Sequence, residues 1–252
     1  MSTGRTLRLR RLFPPSGRRL FAVPLDHSVS MGPIDGLEVA APLVETLQDS
    51  GVDLVIVTKG AVRGVAPVLR PTTLLGVHLS ASTSLSPSPD DKVIAGTVAE
   101  AVALGADVVS AQVNFGTAGE ASMLRDLGRL ADECRTLGMP LLTMAYVKKA
   151  AGPASAAEIR HACRAAADLG ADIVKTSYPG SAPELRRLVE TTPVPVLIGG
   201  GEKANDEAAF LRRVTEVVDS GAAGICIGRN LFQREPLPAL AREVARRLHG
   251  TG

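Results

Sequence analysis

Cysteine and histidine are scarce in this chain, and the few present are not spaced as a ready-made site. The three cysteines, Cys134, Cys163 and Cys226, are an odd number without a CxxC pair. That spacing argues against a disulfide scaffold and for reduced thiols in the cytoplasm. The four histidines, His27, His78, His161 and His249, form no HxH or HExxH pattern, so no metal site and no metal cofactor are expected. Long apolar runs are missing too: a stretch such as 52–57 falls far below the ~20 residues that cross a bilayer. The basic leader RTLRLRRLF is followed by Pro14 rather than by an apolar stretch and a small-residue cleavage site, so a signal peptide is not expected. The net charge of +2 is too small to point to nucleic acid or a membrane surface as partner. No linker or composition break marks a second domain. The expectation is one domain spanning 1–252, with the leader, 1–20, packed on it.

What is there is an alternation of short apolar strands and longer amphipathic helices. Eight strands are predicted, at 21–25, 53–58, 74–80, 107–113, 140–146, 172–176, 194–198 and 224–227. Most are near-continuous runs of Val, Ile and Leu, as in parallel strands buried on both faces. A weak internal repeat runs through them. SGVDLVIVTK returns in outline as LGADVVSAQV, LGADIVKTSY and SGAAGICIGR. Gly51, Gly105, Gly170 and Gly221 each follow a helical pattern and precede a strand, where a left-handed residue ends a helix. The spacing of the copies suits a pair of βα units each, and four pairs make eight strands. With 252 residues, the pattern predicts a parallel eight-stranded (β/α)8 TIM barrel. The Ser/Pro-rich stretch 80–89 follows the third strand and reads as an active-site loop.

In such a barrel the chemistry sits where the strands end. Lys175 lies near the end of the sixth strand, in DIVKTSYPG. Burial disfavours its charge, so a depressed pKa and a nucleophilic amine are expected, with a structural ion pair to Asp26 as the alternative. Tyr146 closes the fifth strand and is either an acid/base phenol or a packed aromatic. Lys148, two positions on, is expected to help lower the pKa of Lys175. Asp26 and His27 end the first strand. Neighbouring strand residues point to opposite faces, so Asp26 is assigned to the pocket and His27 either joins it or pins the loop. Gly199, Gly200 and Gly201 with Lys203 end the seventh strand, and Gly228 with Arg229 ends the eighth. Two glycine-rich loops with added positive charge at these strands favour a phosphate site over plain tight turns. Ser80 and His78 on the third strand, with Ser110 and Gln112 on the fourth, are either pocket-lining or satisfied core polar groups.

Taken together, PLDHSVSMGPIDGL, VHLSASTSLSPSPDDK, GADVVSAQVNFG, GADIVKTSYPG, PVLIGGGEK and GAAGICIGRNLFQ resemble the archaeal-type class I aldolases. That family includes fructose-bisphosphate aldolases, 2-amino-3,7-dideoxy-D-threo-hept-6-ulosonate synthases, and actinobacterial relatives that join aspartate semialdehyde to dihydroxyacetone phosphate. The resemblance covers about residues 20 to 235. It implies that Lys175 is the Schiff-base lysine and Tyr146 the acid/base tyrosine, with Asp26 and His27 as the Asp-His pair. It puts Gly200, Lys203, Gly228 and Arg229 in phosphate-binding loops. It implies small phosphorylated ketose and aldehyde substrates, no metal or other cofactor, and a homo-oligomer. Two departures stand out. Val147 and Lys148 replace the Pro-Arg that many members have after the tyrosine, and Gln112 stands where many have histidine. The competing expectations are a phosphate-binding isomerase that forms no imine, and a non-catalytic sugar-phosphate sensor.

Overall fold

A computed structural model describes residues 2–201 and 206–250. Eight parallel strands close into a barrel: β1 (Leu20–Pro24), β2 (Leu54–Thr58), β3 (Leu74–His78), β4 (Val108–Phe115), β5 (Leu141–Val147), β6 (Ile173–Thr176), β7 (Val196–Gly199) and β8 (Gly224–Cys226). Each strand pairs with its sequence neighbours, and β1 pairs with β8 to complete the ring. All eight strands expected from the sequence are present, with ends displaced by a residue or two. At 74–80, β3 stops at His78 and Ser80–Ala81 pairs antiparallel with Val93–Ile94 outside the barrel.

The period of two along each strand sorts the buried side chains into two cores. Ala22, Leu54, Ile56, Val108, Leu142, Met144, Ile173, Leu197 and Cys226 fill the barrel interior. The alternate residues, such as Val23, Val55, Val109 and Val174, meet the inner faces of the surrounding helices. Those helices carry local start signals. Ser155 and Glu158 form a reciprocal capping box at the start of Ala156–Asp168, a device that stabilises by about 1 kcal/mol.

The internal repeat has a structural cause. Gly51, Gly105, Gly170 and Gly221 all adopt the left-handed backbone, with φ of 88°, 83°, 106° and 80°. The aspartate two residues on, in three of the four copies, stitches the barrel bottom. Asp53 accepts from Phe21 N at 2.8 Å, Asp107 from Leu75 N at 3.1 Å and Asp172 from Leu141 N at 3.0 Å. Each therefore ties its own strand to the start of the previous one. Each also takes an arginine from the N-terminal segment: Arg18 for Asp53, Arg11 for Asp107 and Arg5 for Asp172. The helix α1 (Thr3–Leu12) thus lies across the N-terminal end of the barrel, where Leu12 is buried against the interior core. The strands' C-terminal ends are left open for the site.

Candidate active site

The C-terminal mouth of the barrel holds a cavity of 510 Å³, inside the range for small-molecule sites. At its floor sits Lys175. Ile173 points into the interior core, so two residues along the strand Lys175 does as well, and the residue is only 6% exposed. In the repeat, Lys175 occupies the position of Ile56, Ser110 and Cys226. Those four come from alternate strands, which is how one layer of a TIM-barrel interior is built. A cationic side chain has replaced an apolar one in that layer. Its Nζ lies 3.8 Å from Met144 Sδ and 5.9 Å from the centroid of the Tyr146 ring.

Tyr146, at the top of β5, lines the same cavity, as do Asp26, His27 and Lys148. Asp26 was assigned to the pocket, and His27 was expected either to join it or to pin the loop. Both line the cavity because β1 ends at Pro24, so the pair lies in the turn into the helix His27–Met31. His27 Nδ1 is 3.8 Å from one oxygen of Asp26, and His78 Nε2 is 3.5 Å from the other. His78 is held from behind, its Nδ1 being 2.8 Å from Ser110 Oγ. His27 packs edge-on against Phe232, with ring centroids 5.6 Å apart. A Cβ at Gly228 would come within 2.8 Å of its Cε1, so only glycine fits beside that imidazole.

Electrostatics around the lysine depart from expectation. Burial pulls the Lys175 pKa down, but Cys226, Tyr146 and Asp26 pull it up as anions, and its net displacement is upward. Burial also pushes the Cys226 thiol and the Tyr146 phenol up, so neither is charged near neutral pH. Of the three, Asp26 is the one that is an anion at neutral pH. Burial pushes Asp26 up in turn, yet His78, His27 and Lys175 hold it below its usual value. Burial lowers both imidazoles, which leaves Lys175 as the basic group facing Asp26. At the lysine, burial and Asp26 therefore oppose each other: burial favours the free amine and the carboxylate favours the ammonium. Lys148 does not help to lower Lys175 as expected. Its Nζ pairs with Asp90 Oδ1 at 3.0 Å, and the cation it disfavours is Lys92.

The glycine loops form another wall. Gly199, Gly200, Gly201, Gly228 and Arg229 line the cavity. Arg229 Nη2 reaches Gly201 O at 3.5 Å, and its buried Nε has no partner among the described residues. Lys203 lies outside the described residues. Ser80 is a correction: it is buried, it does not line the cavity, and its Oγ accepts from Gln112 N at 2.8 Å. Gln112 and His78 do line it, whereas Ser110 stands behind His78. In the loop after β3, Ser82, Thr83, Ser84 and Pro89 line the cavity, as the active-site loop reading expects. Sequence reasoning passed over Asp90 and Lys92, which line it too. The signal was the Asp-Asp-Lys triplet closing a Ser/Pro-rich loop.

Comparisons with known proteins identify the family. The chain is 40% identical over 250 residues, 98% of its length and 91% of the relative's, to a 2-amino-4,5-dihydroxy-6-oxo-7-(phosphonooxy)heptanoate synthase of Streptomyces griseus. The crystal structure of an archaeal fructose 1,6-bisphosphate aldolase superposes with a TM-score of 0.89 at 29% identity, covering 98% of this chain and 100% of that one. Another archaeal fructose-1,6-bisphosphate aldolase, its catalytic lysine covalently bound to the carbinolamine intermediate of the substrate, gives 0.88 at 28% identity over 98% and 100% of the two chains. Residues 20–234 match the DeoC/LacD aldolases, and the chain belongs to that family.

Proposed function

We propose that this chain is a class I aldolase that joins dihydroxyacetone phosphate to aspartate semialdehyde through an imine on Lys175. The observation that carries the reading is a lone amine buried at the floor of the cavity, with Tyr146 and Asp26 beside it and two glycine loops alongside. The acceptor follows from the chemistry of the relative's product. An aldol bond lies between the carbon next to a ketone and the carbinol carbon beyond it. Opening that bond in a 2-amino-4,5-dihydroxy-6-oxo-7-(phosphonooxy)heptanoate gives dihydroxyacetone phosphate and the four-carbon amino aldehyde. The higher identity to this synthase than to the fructose-bisphosphate aldolases favours the amino aldehyde over glyceraldehyde 3-phosphate.

The steps assign each residue a role. Backbone N–H groups of Gly200, Gly201 and Gly228, with the Arg229 guanidinium, hold the ketone's phosphate. Lys203 follows Gly201 by two positions in the sequence. Lys175 attacks as the free amine, so any proton it carries leaves first, and Asp26 is the anion that favours its protonated form. Addition to the ketone and loss of water give the iminium, an electron sink that lets the adjacent carbon release a proton. Tyr146, a phenol kept neutral by burial, gives its proton to the departing hydroxyl, and the phenolate so formed takes up the carbon proton and passes it to the aldehyde oxygen. The enamine carbon then bonds to the aldehyde carbon, whose oxygen becomes the new hydroxyl, and water releases product from Lys175. His27 and His78 orient Asp26.

Borohydride reduction in the presence of dihydroxyacetone phosphate should fix the ketose on Lys175, as read by peptide mass spectrometry. Lys175→Ala should show neither adduct nor turnover. Tyr146→Phe should keep the adduct and lose turnover by about 100-fold or more. Full turnover by Lys175→Ala rejects the covalent mechanism. Product analysis with each aldehyde separates the synthase from a fructose-bisphosphate aldolase.

A further inference from the structure

The phosphate and the imine account for the floor of the cavity and the wall below the β7 and β8 loops. The wall formed by the β3 loop and the end of β5 is left over, and it carries three charges with no role so far: Asp90, Lys92 and Lys148. In a ring ordered β1 to β8, the end of β3 lies across from the end of β7. A donor with its phosphate on the glycine loops and its ketone at Lys175 therefore leaves this wall to the acceptor. We propose that Lys92 and Asp90 form the acceptor subsite and that it reads a zwitterion, an aldehyde carrying both a carboxylate and an α-ammonium. The proposal rests on the Lys175 aldolase reading.

Lys92 is a half-buried ammonium without an anion. Its Nζ donates to Ser82 Oγ at 2.5 Å and Ser30 Oγ at 3.4 Å, both hydroxyls. No carboxylate lies within ion-pair distance of it among the described residues. Burial lowers its pKa, the mark of a cation that has lost water and gained no full countercharge. Facing a cavity, such a group calls for an anion from the ligand.

Asp90 supplies the opposite sign. One carboxylate oxygen meets Lys148 Nζ at 3.0 Å, and the other has no partner among the described residues. The backbone that carries it is fixed. Its carbonyl accepts from Asn114 Nδ2 at 2.6 Å, Asn114 is fully buried, and Asn114 Oδ1 accepts from Gln112 Nε2 at 2.9 Å. Ser82 Oγ, which accepts from Lys92, donates to Pro89 O at 2.6 Å. Lys92 and Asp90 are thus presented from one braced loop, with Lys148 neutralising part of the Asp90 charge. A phosphate dianion entering here would gain Lys92 but face the Asp90 carboxylate. A carboxylate on Lys92 with an ammonium on Asp90 satisfies both. Bond formation is unchanged: the enamine carbon takes the aldehyde carbon, the carbonyl π bond breaks, and the oxygen is protonated.

The experiment compares aspartate semialdehyde with succinic semialdehyde, which is the same length and keeps the carboxylate but lacks the amine. Uncharged glyceraldehyde is the third acceptor, and dihydroxyacetone phosphate is the donor throughout. Wild-type enzyme should prefer the amino aldehyde. Asp90→Asn should reduce that preference, as a ratio of kcat/KM values, by about tenfold or more. Lys92→Met should lower kcat/KM for both carboxylates relative to glyceraldehyde by a similar factor and leave the amino preference in place. An unchanged preference in Asp90→Asn, or equal losses for all three aldehydes in Lys92→Met, overturns the subsite. Borohydride trapping of the ketose on Lys175 is run on every variant. Its absence from the wild type would sink the aldolase reading itself, a failure distinct from either of the others.

Discussion

A lysine in the interior layer of a barrel is legible as chemistry because every alternative for it is costly. The repeat puts Ile56, Ser110 and Cys226 at its level, none of which carries charge at neutral pH. What the sequence did not disclose is the sign of its displacement. Burial argues for a free amine, but the turn after β1 brings Asp26 into the same cavity, and a carboxylate facing a buried ammonium favours the charged form. This fixes the direction of one pH effect. Imine formation needs the deprotonated amine, so trapping should rise with pH through the pKa of Lys175. Asp26→Asn removes the anion that favours the ammonium, so the rise should move to lower pH by about one unit. The rate of borohydride trapping measured across pH reads the shift directly. A rise that stays put, or moves to higher pH, means that Asp26 does not hold the amine. Lys92 and Asp90 were passed over for a related reason. They stand in a loop with no periodicity, and nothing in a Ser/Pro-rich stretch says which side chains turn inwards.

Strands were easier to read than the residues at their ends. A strand buried on both faces must be apolar along its length, and a helix end before it favours glycine, so β1 to β8 were visible as composition alone. The end of β3 was misread because Leu79 and Ser80 continue the apolar and small-residue pattern, while Ser80 turns out to pair with Ile94 outside the barrel. The stitching role of the repeated aspartate became visible only with partners in place. Asp172 is 7% exposed, accepts from Leu141 N at 3.0 Å and pairs with Arg5. Asp172→Ala leaves a buried backbone N–H and a cation without partners. That should cost about 2–4 kcal/mol, a fall in Tm of roughly 5–15 °C for a chain of this size. Asp172→Asn keeps an acceptor for Leu141 and should lose distinctly less. Equal melting temperatures for the alanine variant and the wild type would mean that the stitch contributes nothing.

At the scale of the whole molecule the barrel separates its two tasks by end. The bottom holds the three aspartates, their arginines and α1; the top holds Lys175, Tyr146, Asp26 and the loops. Among the described residues, none of α1 lines the cavity and no cavity residue touches the aspartate stitches. Stability and catalysis should therefore respond to different cuts. Removing residues 2–17 strips Leu12 from the interior core and takes Arg5 and Arg11 from their aspartates. Uncovering one buried leucine alone costs about 2–3 kcal/mol, and the freed carboxylates add to it, so the melting temperature should fall sharply. The donor site is built from strand tops that the deletion does not reach. At temperatures where the shortened chain stays folded, the KM for dihydroxyacetone phosphate should hold within about twofold of the full chain, by the same separation of barrel ends. If the folded variant instead fails to trap the ketose on Lys175, α1 sets the position of the lysine layer from below, and the division of the barrel into a stabilising end and a reactive end is wrong.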